Sequence, residues 1–128
     1  MRHRTAPITQ GEPITIDATE ETARELGTFL DAYQRALREG ANNLLAALID
    51  GAAVLWVAGR VVRGREAFIA AVSEAGLVAL SEVEWLVGTG RWEALCSAQA
   101  ETAHGRRHQT MLLKVVAGNW QMTYHHAG

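Results

Sequence analysis

One cysteine, two prolines and no apolar run of membrane-spanning length are the first features that bound this 128-residue chain. The lone Cys96 excludes an intrachain disulfide and suits a reducing cytoplasm. It lies in the apolar run Ala94-Leu95-Cys96-Ser97-Ala98 with no base beside it, so it reads as a buried, inert thiol. Residues 1–17 are polar and broken by Pro7, Gly11 and Pro13, so they lack the continuous apolar stretch of a signal peptide. With no membrane span either, the expected location is cytoplasmic. Neither sign of charge dominates: 12 Lys+Arg stand against 14 Asp+Glu, a formal net charge of −2. That balance supplies no basic face for nucleic acid, and Arg106-Arg107 reads as a solvated turn. The glycines form no phosphate cradle, since Gly88-Thr89-Gly90 joins strand to strand without a following helix.

What is present is an ordinary globular composition, 48% hydrophobic and 20% charged, in a chain sized for one domain. Residues 1–17 read as a flexible lead-in and residues 18–128 as the domain. Asp17 with Glu20 resembles a capping box opening a helix. Ala23, Leu26, Phe29, Leu30, Tyr33, Ala36 and Leu37 then recur at helical spacing, and Gly40 stops the run. Asn42 or Asn43 caps a short helix through Ile49, and Asp50-Gly51 is a turn signal. Short strands are expected at 53–57 and 61–62, and a third helix follows Gly64. Beyond Gly76 the pattern turns to strands at 77–87, 92–102, 108–116 and 120–126, joined by hairpin turns. Helices first and hairpin-linked strands after predict an α+β fold with a mainly antiparallel sheet.

Three stretches resemble the nuclear-transport-factor-2-like (NTF2-like) superfamily, in the group of SnoaL-like and ketosteroid-isomerase-like domains. They are Tyr33-Gln34-Arg35-Ala36-Leu37-Arg38-Glu39-Gly40, the step Gly59-Arg60-Val61-Val62-Arg63-Gly64-Arg65-Glu66-Ala67-Phe68, and the closing Gly118-Asn119-Trp120-Gln121-Met122-Thr123-Tyr124-His125-His126. The last is similar to the final W-x-I-x-x-x-H strand of many such domains, including the association domain of calcium/calmodulin-dependent protein kinase. The resemblance implies three helices packed on a curved sheet, a cystatin-like cone with one pocket between the layers. It implies a homodimer through the convex sheet face. The superfold hosts isomerases, cyclases, dehydratases, epoxide hydrolases and non-catalytic modules, so it fixes shape more firmly than activity.

On this template Tyr33 falls where ketosteroid isomerase keeps its oxyanion-stabilising tyrosine, a role a phenol in an apolar pocket can fill. The competing reading is a core tyrosine on an amphipathic helix. Val57 stands where that family keeps its general base, and Met111 or Leu113 stands near the second oxyanion acid. Without those carboxylates the two-acid steroid mechanism is not expected. Strand alternation, with the family orientation, turns Gln121, Thr123 and His125 toward the pocket and Trp120, Met122 and Tyr124 toward a second subunit, whereas the apolar pattern taken alone gives the reverse facing. His125 is then a candidate acid–base group, or else a hydrogen-bonded structural histidine. Glu93, between Trp92 and Leu95, is the candidate buried base. Gln109, Gln121 and Thr123 would orient a substrate against Val57, Met111 and Leu113. Adjacent His125 and His126 point apart on a strand, and His104 and His108 flank a turn, so no metal is expected. Four tryptophans either fill core and interface or line a pocket for a flat ligand. These residues support two functions: a cofactor-independent acid–base enzyme for a small oxygenated substrate, or a non-catalytic homodimeric ligand-binding or association module.

Overall fold

The computed structural model describes residues 14–16, 19–76, 79–88, 90, 92–102 and 105–127. The first described element is the three-residue strand β1 (Ile14–Ile16), so the stretch expected to be only a lead-in contributes to the sheet. Helix α1 (Glu20–Glu39) is capped by Thr19, whose Oγ1 accepts the Thr22 N–H at 3.2 Å. The expected cap, Asp17, lies outside the described residues. Gly40 ends the helix at φ 65°, its N–H directed to the Ala36 and Leu37 carbonyls. The buried stripe of α1 is Leu26, Phe29, Leu30, Tyr33 and Ala36, at the three- and four-residue spacing of one helix face.

Helix α2 (Asn42–Leu48) is capped by Ala41 without a side-chain bond, and strand β2 (Ile49–Val57) follows at once. The Asp50-Gly51 turn signal marks an irregularity inside β2. There the pairing register shifts between Ile49 and Val54, and Asp50 Oδ2 accepts the Ala52 N–H at 3.0 Å. Ala58 (φ 51°) and Gly59 (φ 76°) make a two-residue hairpin turn into β3 (Arg60–Arg63). Positive φ at both positions matches the right-handed strand twist, and glycine adopts it at no steric cost. Helix α3 (Arg65–Glu74) buries Phe68, Ile69, Ala71 and Val72. Strands β4 (Ala79–Val87), β5 (Glu93–Thr102), β6 (Gly105–Val116) and β7 (Asn119–Ala127) complete the chain. Leu77 and Val78, expected to begin β4, lie outside the described residues.

The strand order is β1-β4-β5-β6-β7-β2-β3. Pairing is antiparallel except between β1 and β4 and between β2 and β7. Three helices thus pack on a mixed six-stranded sheet that β1 extends at one edge, the expected α+β architecture. The helix-facing side carries Ala94, Cys96, Ala98 and Ala100 of β5 and Gln109, Met111 and Leu113 of β6, all buried. Small residues on β5 leave room for the α1 stripe and for Trp85 of β4. The other face carries a row paired across five strands: Leu86, Leu95, Leu112, Tyr124 and Val54.

A register shift in β7 governs which of its side chains point inward. Leu113 pairs with Met122 but Leu112 pairs with Tyr124, so Thr123 is an extra residue. Inward positions are therefore Trp120 and Met122 before the bulge, and His125 after it. Strict alternation had placed Gln121, Thr123 and His125 together on the inner face, and only His125 is there. Met122 is fully buried, and Trp120 packs on the core with its Nε1 donating to Glu25 of α1 at 3.0 Å. Neither is free for a partner; of the three residues assigned to the dimer face, Tyr124 alone lies on the outer side.

Among the described residues Trp85 Nε1 is the buried side-chain polar atom without a hydrogen-bond partner. An unpaired buried donor costs about 1–3 kcal/mol, which offsets much of what the extra indole ring contributes. Trp85→Phe is therefore expected to change unfolding free energy by less than about 1 kcal/mol, against about 3–5 for Trp85→Ala, in urea titrations.

Candidate functional site

Three polar side chains cross the apolar core in a line. Tyr33 of α1 and His125 of β7 are wholly buried and Gln109 of β6 is 1% exposed. The Tyr33 hydroxyl lies 3.1 Å from His125 Nδ1, and His125 Nε2 lies 2.6 Å from Gln109 Oε1. Gln109 Nε2 donates to the Arg107 carbonyl at 3.4 Å. That last bond sets the direction of the others. A carbonyl only accepts, so the Gln109 amide nitrogen faces Arg107 and its oxygen faces the imidazole. The oxygen accepts from Nε2–H, which leaves Nδ1 as the acceptor for the Tyr33 O–H. The imidazole is thus held as a neutral ring with the proton on Nε2.

The surroundings enforce that neutrality. Phe68 packs 6.3 Å from the His125 ring, and Phe29 stacks 6.3 Å from Tyr33. Burial, with a smaller contribution from neighbouring His126, lowers the His125 pKa from 6.5 to about 3. Burial also raises the Tyr33 phenol far above its ordinary value. In this arrangement His125 is a weak base and Tyr33 has already committed its proton. Cys96 is likewise inert, its thiol pushed up to about 12 by burial.

The remaining candidates are dispersed. Glu93 is exposed on the outer side of β5, in register with Lys114, because the even-numbered residues of that strand face the helices. Its neighbour Trp92 is 59% exposed, so the desolvated setting expected for a general base is absent. Met111 and Leu113 are core, packed among the residues around Tyr33. Gln121 donates to the Ala47 carbonyl at 3.4 Å, and Thr123 Oγ1 donates to the Leu112 carbonyl at 3.2 Å, both away from the triad. His126 faces outward in an edge contact with Trp56, 5.7 Å between rings. His108 Nε2 sits 2.8 Å from Ser97 Oγ, and Arg106 pairs with Glu82. His104 lies outside the described residues. Among the described residues no group of three or more His, Cys, Asp and Glu side chains converges as metal ligands. None of their helices is long and apolar enough to cross a membrane.

Of the expected site residues, Glu93, Leu113 and Thr123 border a shallow hollow of about 380 Å³ on β4–β7, and Val57 borders a different one. A hollow of about 370 Å³ lies at the end of the sheet where the β2–β3 hairpin, the last turn of α3 and the ends of β5, β6 and β7 meet. Its apolar wall is Val57, Ala58, Ala71, Ala75 and Ala127, and its polar groups are Arg60, Arg107, Glu74 and Thr102. Neither Tyr33 nor His125 borders it. Sequence reasoning missed Arg60 and Arg107 as site residues, although a signal existed for the second. Arg107 stands two residues before Gln109 on one strand and therefore on the same inward side.

With this geometry in hand, the likeness to solved structures is informative. A Silicibacter pomeroyi NTF2-like protein of unknown function superposes with TM-score 0.67 at 22% identity, over 87% of this chain and 98% of its own. The fold is NTF2-like. A Streptomyces avermitilis protein of the NTF2-like family, provisionally named a dehydratase, superposes at TM-score 0.71 and 15% identity, covering 86% and 97% of the two chains. A Xanthomonas campestris protein, provisionally named a calcium/calmodulin dependent protein kinase II association domain, reaches 0.64 at 18% identity, covering 82% and 85%. No family model matches the sequence, and no curated protein does. NTF2-like neighbours thus carry both enzyme and association-domain names on one shape, and the choice rests on the side chains.

Proposed function

We propose that this NTF2-like chain is a non-catalytic, homodimeric domain that binds a small molecule in the end hollow. The observation that carries this reading is the closed Tyr33–His125–Gln109 chain. Its members have no exposed surface worth naming, satisfy one another, and sit apart from the open volume. A group that performs acid–base chemistry must reach its substrate, within hydrogen-bond distance or through one water. The hollow falls within the size range of small-molecule sites and offers apolar walls with a few polar groups.

The dimer half of the reading rests on the outer sheet face. Leu86 (53% exposed) and Leu112 (40%) lie in the apolar row with Leu95, Tyr124 and Val54, and Trp56 (43%) lies one row along. Contiguous apolar surface of this kind favours a partner, and a second copy presents the same row across a twofold axis.

The enzymatic alternative retains one supporting observation, the 3.1 Å approach of a phenol to an imidazole. It needs the core to open and admit substrate between α1 and β7. Mapping a fragment library onto backbone amides by NMR separates the two. Shifts should cluster at Val57, Ala71 and Ala127, with Tyr33 and His125 unmoved. Saturable shifts centred on Tyr33 and His125 would favour the enzyme.

A further inference from the structure

From the two arginines that border the hollow, we infer that its ligand is a small organic carboxylate with an apolar body. The inference deepens the small-molecule reading and rests on it. The backbone pairing explains how the arginines reach one space. Arg60 pairs with Val57, Val57 with Ala127, and Ala127 with Gln109, giving one inward-facing row across β3, β2, β7 and β6. Neighbouring strands lie about 4.8 Å apart, so Arg60 and Gln109 stand roughly 14 Å apart along that row. Arg107 is two residues along β6 from Gln109, about 7 Å, on the same side. The two guanidinium groups therefore approach the hollow from different walls, one from the hairpin edge and one from the sheet interior.

Between them the wall is almost featureless. Ala58, Ala71, Ala75 and Ala127 present single methyl groups, which is why volume remains there. The polar content has a definite sign, two guanidiniums against one carboxylate, that of Glu74. Among the described residues neither arginine is in an ion pair; the Arg107 guanidinium donates to the Arg106 carbonyl at 3.4 Å, and Arg106 itself pairs with Glu82. A guanidinium matches a carboxylate in two parallel N–H···O bonds, and that match is lost with a neutral isostere. The methyl-lined wall between them has nothing for a highly hydroxylated body to bond.

The Tyr33–His125–Gln109 chain gains a role in this arrangement. Its last bond holds the Arg107 carbonyl, so the buried line runs from α1 to the backbone that carries one of the two cations. Gln109 is in this sense a positioning residue. It touches no ligand and fixes the strand segment from which Arg107 projects.

The test uses matched pairs of small aromatic and aliphatic carboxylates and their primary amides, beginning with 3-phenylpropanoate and 3-phenylpropanamide. Binding to the full chain is followed at low salt by titration calorimetry and backbone NMR. The carboxylates should bind with shifts at Ala58, Ala71 and Ala127, and the amides at least tenfold more weakly. Arg60→Gln and Arg107→Gln should each weaken carboxylate binding tenfold or more and weaken amide binding by much less. Both side chains are exposed, so the variants are expected to fold. Gln109→Leu should weaken carboxylate binding less than Arg107→Gln, and shift the Arg107 amide resonance in the free protein. Amides that bind as tightly as the carboxylates overturn the inference and leave the small-molecule reading standing. Inorganic phosphate binding as tightly as the best carboxylate overturns the apolar-body requirement. No binding by either set at the hollow overturns the inference and the small-molecule reading together.

Discussion

Acidification from pH 6.5 to 5 should cost the fold about 1.6 kcal/mol through His125 alone, by linkage at 1.36 kcal/mol per unit of pKa difference. The folded imidazole has a pKa of about 3, against 6.5 for an unperturbed histidine. In that window the unfolded chain takes up a proton that the folded chain refuses. The depressed folded value therefore gives stability that is fully present above pH 6.5 and falls away as pH drops toward 3. The main cause is desolvation of the imidazolium, and His126 adds a smaller repulsion. The window lies above the ordinary carboxylate range, so the slope is attributable to histidine. Urea unfolding of the native chain and of His125→Gln at several pH values checks the expectation. His125→Gln removes the titrating ring, so its stability should be lower at neutral pH yet nearly flat from pH 6.5 to 5. A native chain equally flat would mean that the imidazole is solvated in the folded state.

Leu112→Asp should dissociate the proposed dimer, weakening self-association at least a hundredfold. The residue sits mid-sheet on the outer face, flanked in register by Leu95 and Tyr124. A carboxylate buried there without a partner costs about 3 kcal/mol or more, and a twofold axis imposes the substitution on both copies. Because Leu112 is 40% exposed in the single chain, the fold itself should be little affected. Light scattering across a concentration series reads the result directly, with circular dichroism confirming that the variant is folded. The native chain should show dimer mass at micromolar concentration and the variant monomer mass. A native chain that stays monomeric would remove the dimer from the proposed function.

The fold was legible in the sequence because its signals are local and agree with one another. The apolar stripe of α1, Gly40 at its end, the hairpin around Gly59 and the strands beyond residue 79 each announce themselves within a few residues. Tyr33 and His125 were legible as a pair through the likeness of the two segments that carry them. The facing of β7 was not, because it depends on the bulge at Thr123. The inserted residue reverses alternation, so anchoring the strand at His125 by the family orientation overrode the apolar pattern of Trp120 and Met122, which alone gave their inward facing. That choice put Trp120 and Met122 on the wrong side and gathered Gln121 and Thr123 beside His125, which they do not join. Glu93 was misplaced for a related reason. Trp92 and Leu95 look desolvating in sequence, but the strand turns its even positions inward and the indole stands in solvent. The inward side of Arg107 could be read from Gln109, but that it shares a hollow with Arg60 belongs to three-dimensional proximity, since β3 must first pair into the sheet.

The most direct measurement is the protonation of His125 itself, followed through its imidazole nitrogens and ring protons by NMR from pH 8 to 4. The account predicts a neutral ring throughout, with the proton on Nε2 in slow exchange and bonded toward Gln109, and Nδ1 accepting from Tyr33. An imidazole that titrates near 6.5, with both nitrogens exchanging freely with water, would contradict it and return His125 to the list of groups able to move a proton.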